Sequence, residues 1–417
     1  MATAIVGVSE LDAFCDRALD WLLDAGVETD HGLGWRGYPS EAELNPILYS
    51  GSAGIIVTLL EAHAHYGDER YAEAALRGAR ELAATLDPEW PCGLYVGLSG
   101  IAFALHAVHE AFDDPGCGTA AARALAMVRD RFDGERWSDQ FELFGGNAGV
   151  ALGALAIGEL DLAVTAATPY LRTAEPTERG VNWEVRTGYE SRFHHISHGT
   201  LGIVLALASV GAATGRTDFV QLALAGAADV VSRHITDDDG FLVPHSDPQF
   251  RPDAVERFSY GWCHGPAGDA QVFRKLGMVT GDPQWAGLAD RCWHTVLGSG
   301  LPAQRRAGFW DNVGRCCGTA GVLALGCDRL VEAGDDPGFV DVLVADLVGL
   351  AIDDSGGVRW SNIEHRATPS ILEPRTGWAM GSSGVIRELL RRARIALGGD
   401  PWYAVGWPDH PMVRPVG

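Results

Sequence analysis

Two kinds of helical pattern alternate along this chain. Segments such as SELDAFCDRALDWLLDA (residues 9–25), DERYAEAALRGARELAATL (68–86) and RTDFVQLALAGAADVVSRHI (216–235) repeat their apolar residues at spacings of three and four, which leaves one face polar. Between such segments stand runs with few polar residues, each opened by Gly-x-x-Gly. They read GSAGIIVTLL from Gly51, GLSGIAFAL from Gly97, GNAGVALGAL from Gly146 and GTLGIVLAL from Gly199, then GPAGDAQVF from Gly265, GTAGVLAL from Gly318 and GSSGVIRELL from Gly381. The first glycines are 46, 49, 53, 66, 53 and 63 residues apart, the length of a helical hairpin with a variable loop.

An apolar helix has to be covered on all sides. Seven of them set in a ring, with their polar-faced partners outside, cover one another. The pattern therefore predicts an all-α fold, an α/α toroid (barrel) of seven helical hairpins and fourteen helices. Every Gly-x-x-Gly turn then falls at the same end, where glycine lets backbones crowd near the axis and tolerates unusual dihedral angles. The looser stretches 174–196, 235–260 and 353–377 read as long loops within one domain spanning 1–417. The Pro- and aromatic-rich tail, from about 398 to 417, is expected to pack across the barrel.

Composition narrows the partners. Lys and Arg number 32 against 55 Asp and Glu, for a formal charge of −23, and a field of that sign repels nucleic acid and anionic membranes. The start, MATAIVGVSELDAF, has no basic segment followed by an apolar one, and no stretch approaches the roughly 18 uncharged apolar residues of a membrane span. These features point to a cytoplasmic protein. Eight cysteines without a secretory signal are too sparse for a disulfide scaffold, so thiols or thiolates are expected.

Counting back from the first glycine of each repeat organises the candidate chemistry. Cys263 and His264 occupy positions −2 and −1 of the fifth repeat, and Cys316 and Cys317 hold the same places in the sixth. His198 is at −1 of the fourth repeat and Glu142 at −4 of the third, whereas the first two repeats carry Tyr49, Ser50, Tyr95 and Val96 at −2 and −1. Metal-ligating residue types thus collect at one rim, at helix starts where the macrodipole favours thiolate. Three thiolates from two neighbouring turns suit a tetrahedral zinc ion and leave its fourth position open, as catalytic sites do. The plainer reading makes Cys263, Cys316 and Cys317 small buried hydrophobes, but equivalent positions in consecutive repeats weigh against it. Cys15, Cys92, Cys117, Cys292 and Cys327 lie outside this frame and are assigned to packing.

With seven Gly-x-x-Gly helical repeats, Trp262-Cys263-x-Gly265, Cys-Cys-Gly at 316–318 and His-Gly at 198–199, the chain resembles the lanthionine synthetase C-like cyclases, from its first helix to GWAMGSSG at 377–384. The resemblance implies an α/α toroid that binds zinc through Cys263, Cys316 and Cys317. It also implies an activity, closing thioether rings in a ribosomally made precursor peptide by adding cysteine thiols to dehydroalanine or dehydrobutyrine. Zinc would deprotonate a thiol that is otherwise mostly protonated at neutral pH, and three cysteinate ligands would make the bound thiolate more electron-rich than a neutral imidazole ligand does. Attack on the β-carbon leaves an enolate to be protonated at the α-carbon. His198 is the candidate acid, with Glu142 and His264 beside it. The partners that the resemblance implies are a dehydrated, Cys-containing peptide and a separate dehydratase in complex with the chain.

This sequence departs from the family pattern at several places. Glu142 stands where relatives carry aspartate, and Cys317 where many carry histidine. Ser259 replaces an arginine four residues before the metal cysteine, with Arg257 two residues off, and His264 occupies a site often held by tyrosine. Two alternatives share the fold. A glycoside hydrolase would need a second carboxylate facing Glu142, from loop acids such as Asp269, Asp311 or Glu364. A non-catalytic protein would hold glutathione or another thiol at the metal.

Overall fold

A computed structural model describes residues 7–236, 239–303, 312–364 and 367–411. Its helices in chain order are α1 (Val8–Asp24), α2 (Ser52–Tyr66), α3 (Glu69–Thr85), α4 (Leu98–Phe112), α5 (Pro115–Asp130), α6 (Asn147–Ala156), α7 (Leu160–Ala167), α8 (Tyr170–Thr173), α9 (Thr200–Thr214), α10 (Thr217–Val231), α11 (Pro266–Thr280), α12 (Pro283–Gly298), α13 (Thr319–Glu332), α14 (Gly338–Gly349) and α15 (Ser382–Ala396). The seven apolar runs became α2, α4, α6, α9, α11, α13 and α15, and each packs on the next, with α15 closing onto α2. Their partners lie outside. The fourteen expected positions are filled, one of them by two short helices, because Pro169 interrupts the outer segment between α7 and α8. Burial follows the pattern: α9 is enclosed on every side from Thr200 to Gly211, whereas α3 buries only one face.

Local turn chemistry makes the hairpins. At the far end of the inner helices, Gly67, Gly215 and Gly281 take left-handed conformations (φ +67°, +69° and +69°) that stop the helix. Asp68 and Asp282 follow directly and cap α3 and α12, their carboxylates accepting the N–H groups of Arg70 and Gln284. The ring is closed by the two ends of the chain, since α1 packs as the outer partner of α15.

At the near end, the first glycine of every repeat is the N-cap of an inner helix, with extended backbone and negative φ. Unusual dihedral angles are therefore not why glycine is there; space is. A Cβ on the second glycine, at Gly54, Gly100, Gly149, Gly202, Gly268, Gly321 or Gly384, would run into the carbonyl oxygen of the residue at −3 of its own turn, well inside contact distance. Turns this tight reach one another. The backbone N–H of Tyr49 donates to the carbonyl of Tyr95 (2.9 Å), Tyr95 to Phe144 (3.0 Å), Ser197 to Cys263 (3.3 Å), Cys263 to Cys316 (3.0 Å), Cys316 to Ala379 (2.9 Å) and Ala379 to Tyr49 (2.9 Å). All seven residues stand at −2, so these bonds form a circle around the barrel axis, open only between Phe144 and Ser197.

The loops carry four short antiparallel pairs, β1 (Gly26–Glu28) with β2 (Leu33–Trp35), β3 (Glu175–Pro176) with β4 (Val181–Asn182), β5 (Arg192–Phe193) with β6 (Ser246–Asp247), and β7 (Ile352–Asp354) with β8 (Gly357–Arg359). The third pair ties the loops 174–196 and 235–260 together at the mouth. No described helix is long and apolar enough to cross a membrane.

The tail does more than cross the barrel. It enters between the far ends of the inner helices and fills the axis, stacking Trp407 on Trp378 at 4.3 Å between ring centres. The Tyr403 hydroxyl donates to Glu388 (2.5 Å) and His410 bonds Asp328 (3.0 Å), a carboxylate also held by Arg274 (2.6 Å) and Arg391 (2.7 Å). Asp409, buried, accepts from the Tyr95 hydroxyl. Burial pushes its pKa up from 3.8 to about 6, against the pull of that hydrogen bond and of Arg315. A carboxyl whose folded pKa is raised stabilises the fold fully below its unfolded pKa and loses that contribution as pH rises through the folded value, here between 3.8 and about 6. Asp409→Asn keeps an acceptor for Tyr95. Its stability relative to wild type is expected to rise by about 3 kcal/mol between pH 4 and pH 8. Thermal denaturation at the two pH values measures this, and a difference that is flat with pH contradicts it.

Candidate active site

The circle of turns brings the three rim cysteines together. Cys263 Sγ lies 3.1 Å from Cys317 Sγ, which lies 3.3 Å from Cys316 Sγ. The three sulfurs are all within 4.8 Å of one another and buried, and they are the one such group of potential ligands among the described residues. Sulfurs on a tetrahedral zinc with bonds of about 2.3 Å stand about 3.8 Å apart, so small side-chain rotations fit this set to the ion. The donor chemistry fits as well. Burial and the hydrogen bonds of the neighbouring thiols push Cys263 and Cys317 up, while Cys316, despite burial, is drawn well down by hydrogen bonds from Cys263, Cys317 and the Tyr49 hydroxyl. Three buried thiols in mutual contact are soft donors of the kind that zinc takes.

Beside the sulfurs stands a carboxylate–imidazole pair. His198 Nδ1 is 3.2 Å from Glu142 Oε2. The Glu142 carboxylate is fully buried and also accepts the backbone N–H of Phe144 (2.5 Å) and of Gly145 (3.2 Å). The circle of backbone bonds is therefore open at Phe144 because its N–H turns to Glu142. With Nδ1 committed to the carboxylate, Nε2 is the nitrogen of His198 left for other work. Arg186 reaches the same imidazole, with Nη2 3.3 Å from Nδ1.

His264 is buried, its ring 5.5 Å from that of His198 and 4.3 Å from that of His245. Burial, reinforced by the surrounding histidines and Arg186, pushes the pKa of His264 well down and that of His245 to about 3, so both are neutral imidazoles at physiological pH. These groups share a small pocket of about 180 Å³, roofed by Phe193, Phe250 and Val255 from the two tied loops.

All six residues marked in the sequence thus meet: Cys263, Cys316 and Cys317 in one cluster, His198 and His264 lining the same pocket, and Glu142 paired with His198. Of the acids invoked for a glycosidase, Asp269 and Glu364 do not join them. Asp269 is not a loop acid but lies in α11, buried, with both carboxylate oxygens 2.9–3.0 Å from His195 Nδ1. Glu364 sits in the loop after β8, its N–H bonded to Ser370, and Asp311 lies outside the described residues. Sequence reading passed over Tyr49, Arg186 and His245. Tyr49 stood in the −2 frame but is not a common ligand type; Arg186 and His245 come from loops, where no periodicity marks them.

The model of the family described as "Lanthionine synthetase C-like protein" matches residues 42–251 and 249–344, and the chain belongs to that family. Among solved structures, a nisin cyclase is similar with a TM-score of 0.66 and 15% identity, covering 96% of this chain and 95% of its own. A sugar epimerase from a ruminal bacterium (TM-score 0.51, 14% identity, 92% and 98% covered) and a D-mannose isomerase (0.52, 12%, 93% and 99%) share the helical ring. At such identities the likeness is one of fold. A search of curated proteins finds no match.

The geometry predicts a metal stoichiometry. Protein incubated with zinc and desalted is expected to keep about one equivalent per chain. Cys263→Ala and Cys316→Ala should each lose more than half of it, while Cys117→Ala, on the outer helix α5, keeps it. Elemental analysis decides, and equal zinc in all four proteins removes the cluster as a metal centre.

Proposed function

We propose that this protein is a lanthionine-forming cyclase, which adds a cysteine thiol of a dehydrated peptide across the double bond of a dehydroalanine or dehydrobutyrine. The observation that carries the reading is the opening of three convergent cysteine sulfurs and a carboxylate-oriented histidine into one pocket. Cys263, Cys316 and Cys317 would hold zinc, which when bound supplies a low-pKa coordination place for the substrate thiol. Addition transfers no atoms to or from the peptide. Sulfur bonds to the β-carbon, the double-bond electrons move to the α-carbon as an enolate, and the proton lost by the thiol is balanced by one gained at the α-carbon.

The chain's own residues handle the rest. His198, oriented through Nδ1 by Glu142, takes the thiol proton and returns one to the enolate through Nε2. Glu142 keeps the imidazole in that tautomer and stabilises its cationic form, a task its length allows while the two backbone N–H groups pin the carboxylate. Arg186 places a guanidinium at the same pocket and so offsets enolate charge. The neutral imidazoles of His264 and His245 supply hydrogen bonds without adding charge. Phe193, Phe250 and Val255 exclude water.

The pocket volume favours a second reading to be kept beside the first. About 180 Å³ admits a thiol side chain and its acceptor but not a folded peptide, so a small thiol such as glutathione fits the same centre. The two readings separate on turnover. Incubation with a dehydrated, Cys-containing peptide, made by a separate dehydratase, should leave the peptide mass unchanged while removing its alkylatable thiol. His198→Asn is expected to slow this by 10² to 10⁴-fold with zinc content intact. A zinc-replete wild-type enzyme that leaves the thiol free would sink the cyclase reading in favour of thiol binding.

A further inference from the structure

The far end of the barrel holds a second cavity, of about 450 Å³, between the C-terminal halves of α6, α9 and α11 and the tail. Its walls carry Leu152, Leu155 and Leu205 on the helices and Trp402 and Trp407 on the tail, and Arg391, Asp409 and His410 also line it. Lys275 lines it. This is the one lysine of the chain; every other member of its 32 Lys and Arg is arginine. It is half-buried, and burial alone lowers its pKa, with no charge partner contributing. Although the chain has 55 acidic residues, Lys275 makes no ion pair or hydrogen bond among the described residues. The acids nearby are engaged elsewhere. Asp328 is held by Arg274, Arg391 and His410, and Asp409 by Tyr95. Ser209, nine-tenths buried on α9, lines the same cavity, and its hydroxyl likewise has no partner among the described residues.

An unpaired ammonium and an unpaired hydroxyl in one cavity are groups waiting for an acceptor. Partly desolvated without one, each costs free energy that an anion sharing both would recover. The site is separate from the sulfurs. Ser209 stands ten residues from the N-cap Gly199, about 15 Å along α9. We propose that this cavity is a binding site for a small anionic amphiphile, an apolar body seated among Leu152, Leu205 and the tail tryptophans, with one carboxylate or sulfonate bonded to Lys275 and Ser209. Volume supports the assignment, since 450 Å³ lies in the range of small-molecule pockets.

The test uses 8-anilinonaphthalene-1-sulfonate as the probe on the full chain, read by fluorescence and by equilibrium dialysis. One saturable equivalent is expected per chain. Lys275→Met should raise its Kd at least tenfold, and Lys275→Arg, which keeps the charge, should hold it within about threefold. Decanoate should displace the probe and 1-decanol, with the same chain and no charge, should not. Because Lys275 makes no ion pair or hydrogen bond among the described residues, Lys275→Met should keep its melting temperature and its zinc, so a lost affinity reports the cavity rather than the fold. Unchanged probe affinity in Lys275→Met, displacement by decanol equal to that by decanoate, or binding without saturation each overturns the proposal.

Discussion

Around the mouth of the barrel, the backbone N–H of one turn bonds the carbonyl of the next, from Tyr49 through Tyr95 to Phe144 and from Ser197 through Cys263, Cys316 and Ala379 back to Tyr49. Those bonds require seven turns to approach within hydrogen-bond distance of their neighbours, and the approach requires glycine, since a Cβ on the second glycine of each repeat would strike the turn's own carbonyl. Position along the repeat therefore becomes position in space. Cys263 and Cys316 are directly bonded through their backbones, so their side chains leave adjacent points of one circle. Cys317, one residue further, completes the set although it stands 54 positions along the chain from Cys263.

The break in the circle is where the carboxylate–imidazole pair sits. Phe144 gives its N–H to the Glu142 side chain instead of to Ser197, and Glu142 in turn holds His198. A buried carboxylate is costly unless it is bonded, and two backbone donors and an imidazole satisfy this one. Beneath the mouth, Arg315 pairs with Glu388 (2.8 Å) and lies near the faces of Trp262 and Trp378, and Trp407 of the tail stacks on Trp378 from the other side. The turn bearing Cys316 thus rests on a floor that the chain's own C-terminal segment helps to build.

The ring was legible in the sequence because its cause is repeated seven times: an apolar run, a glycine at its start and a second glycine three residues later. The convergence of the six residues was legible for the same reason, since a common frame turned scattered Cys, His and Glu into one rim. What stayed hidden depends on single contacts. Nothing periodic marks Arg186 or His245, whose loops are brought over the pocket by the pairing of Phe193 with Ser246. Tyr49 had the right place but no ligand chemistry, and its role appears only once its hydroxyl is seen to bond Cys316. Asp269 was counted with the loop acids although it stands inside GPAGDAQVF, a run read as helical, and α11 indeed starts at Pro266, a residue suited to the first turn of a helix. The tail's place in the axis likewise rests on long-range partners, Tyr95 and Trp378, that composition does not reveal.

The central claim is that adjacent turns deliver three sulfurs to one ion and leave a place for a thiol. X-ray absorption at the zinc edge of the zinc-loaded protein tests it most directly. The account predicts a four-coordinate ion with three sulfur neighbours at about 2.3 Å and one lighter atom, changing to four sulfurs when a thiol substrate is added. A shell of nitrogen and oxygen alone, or of fewer than three sulfurs before substrate, contradicts it.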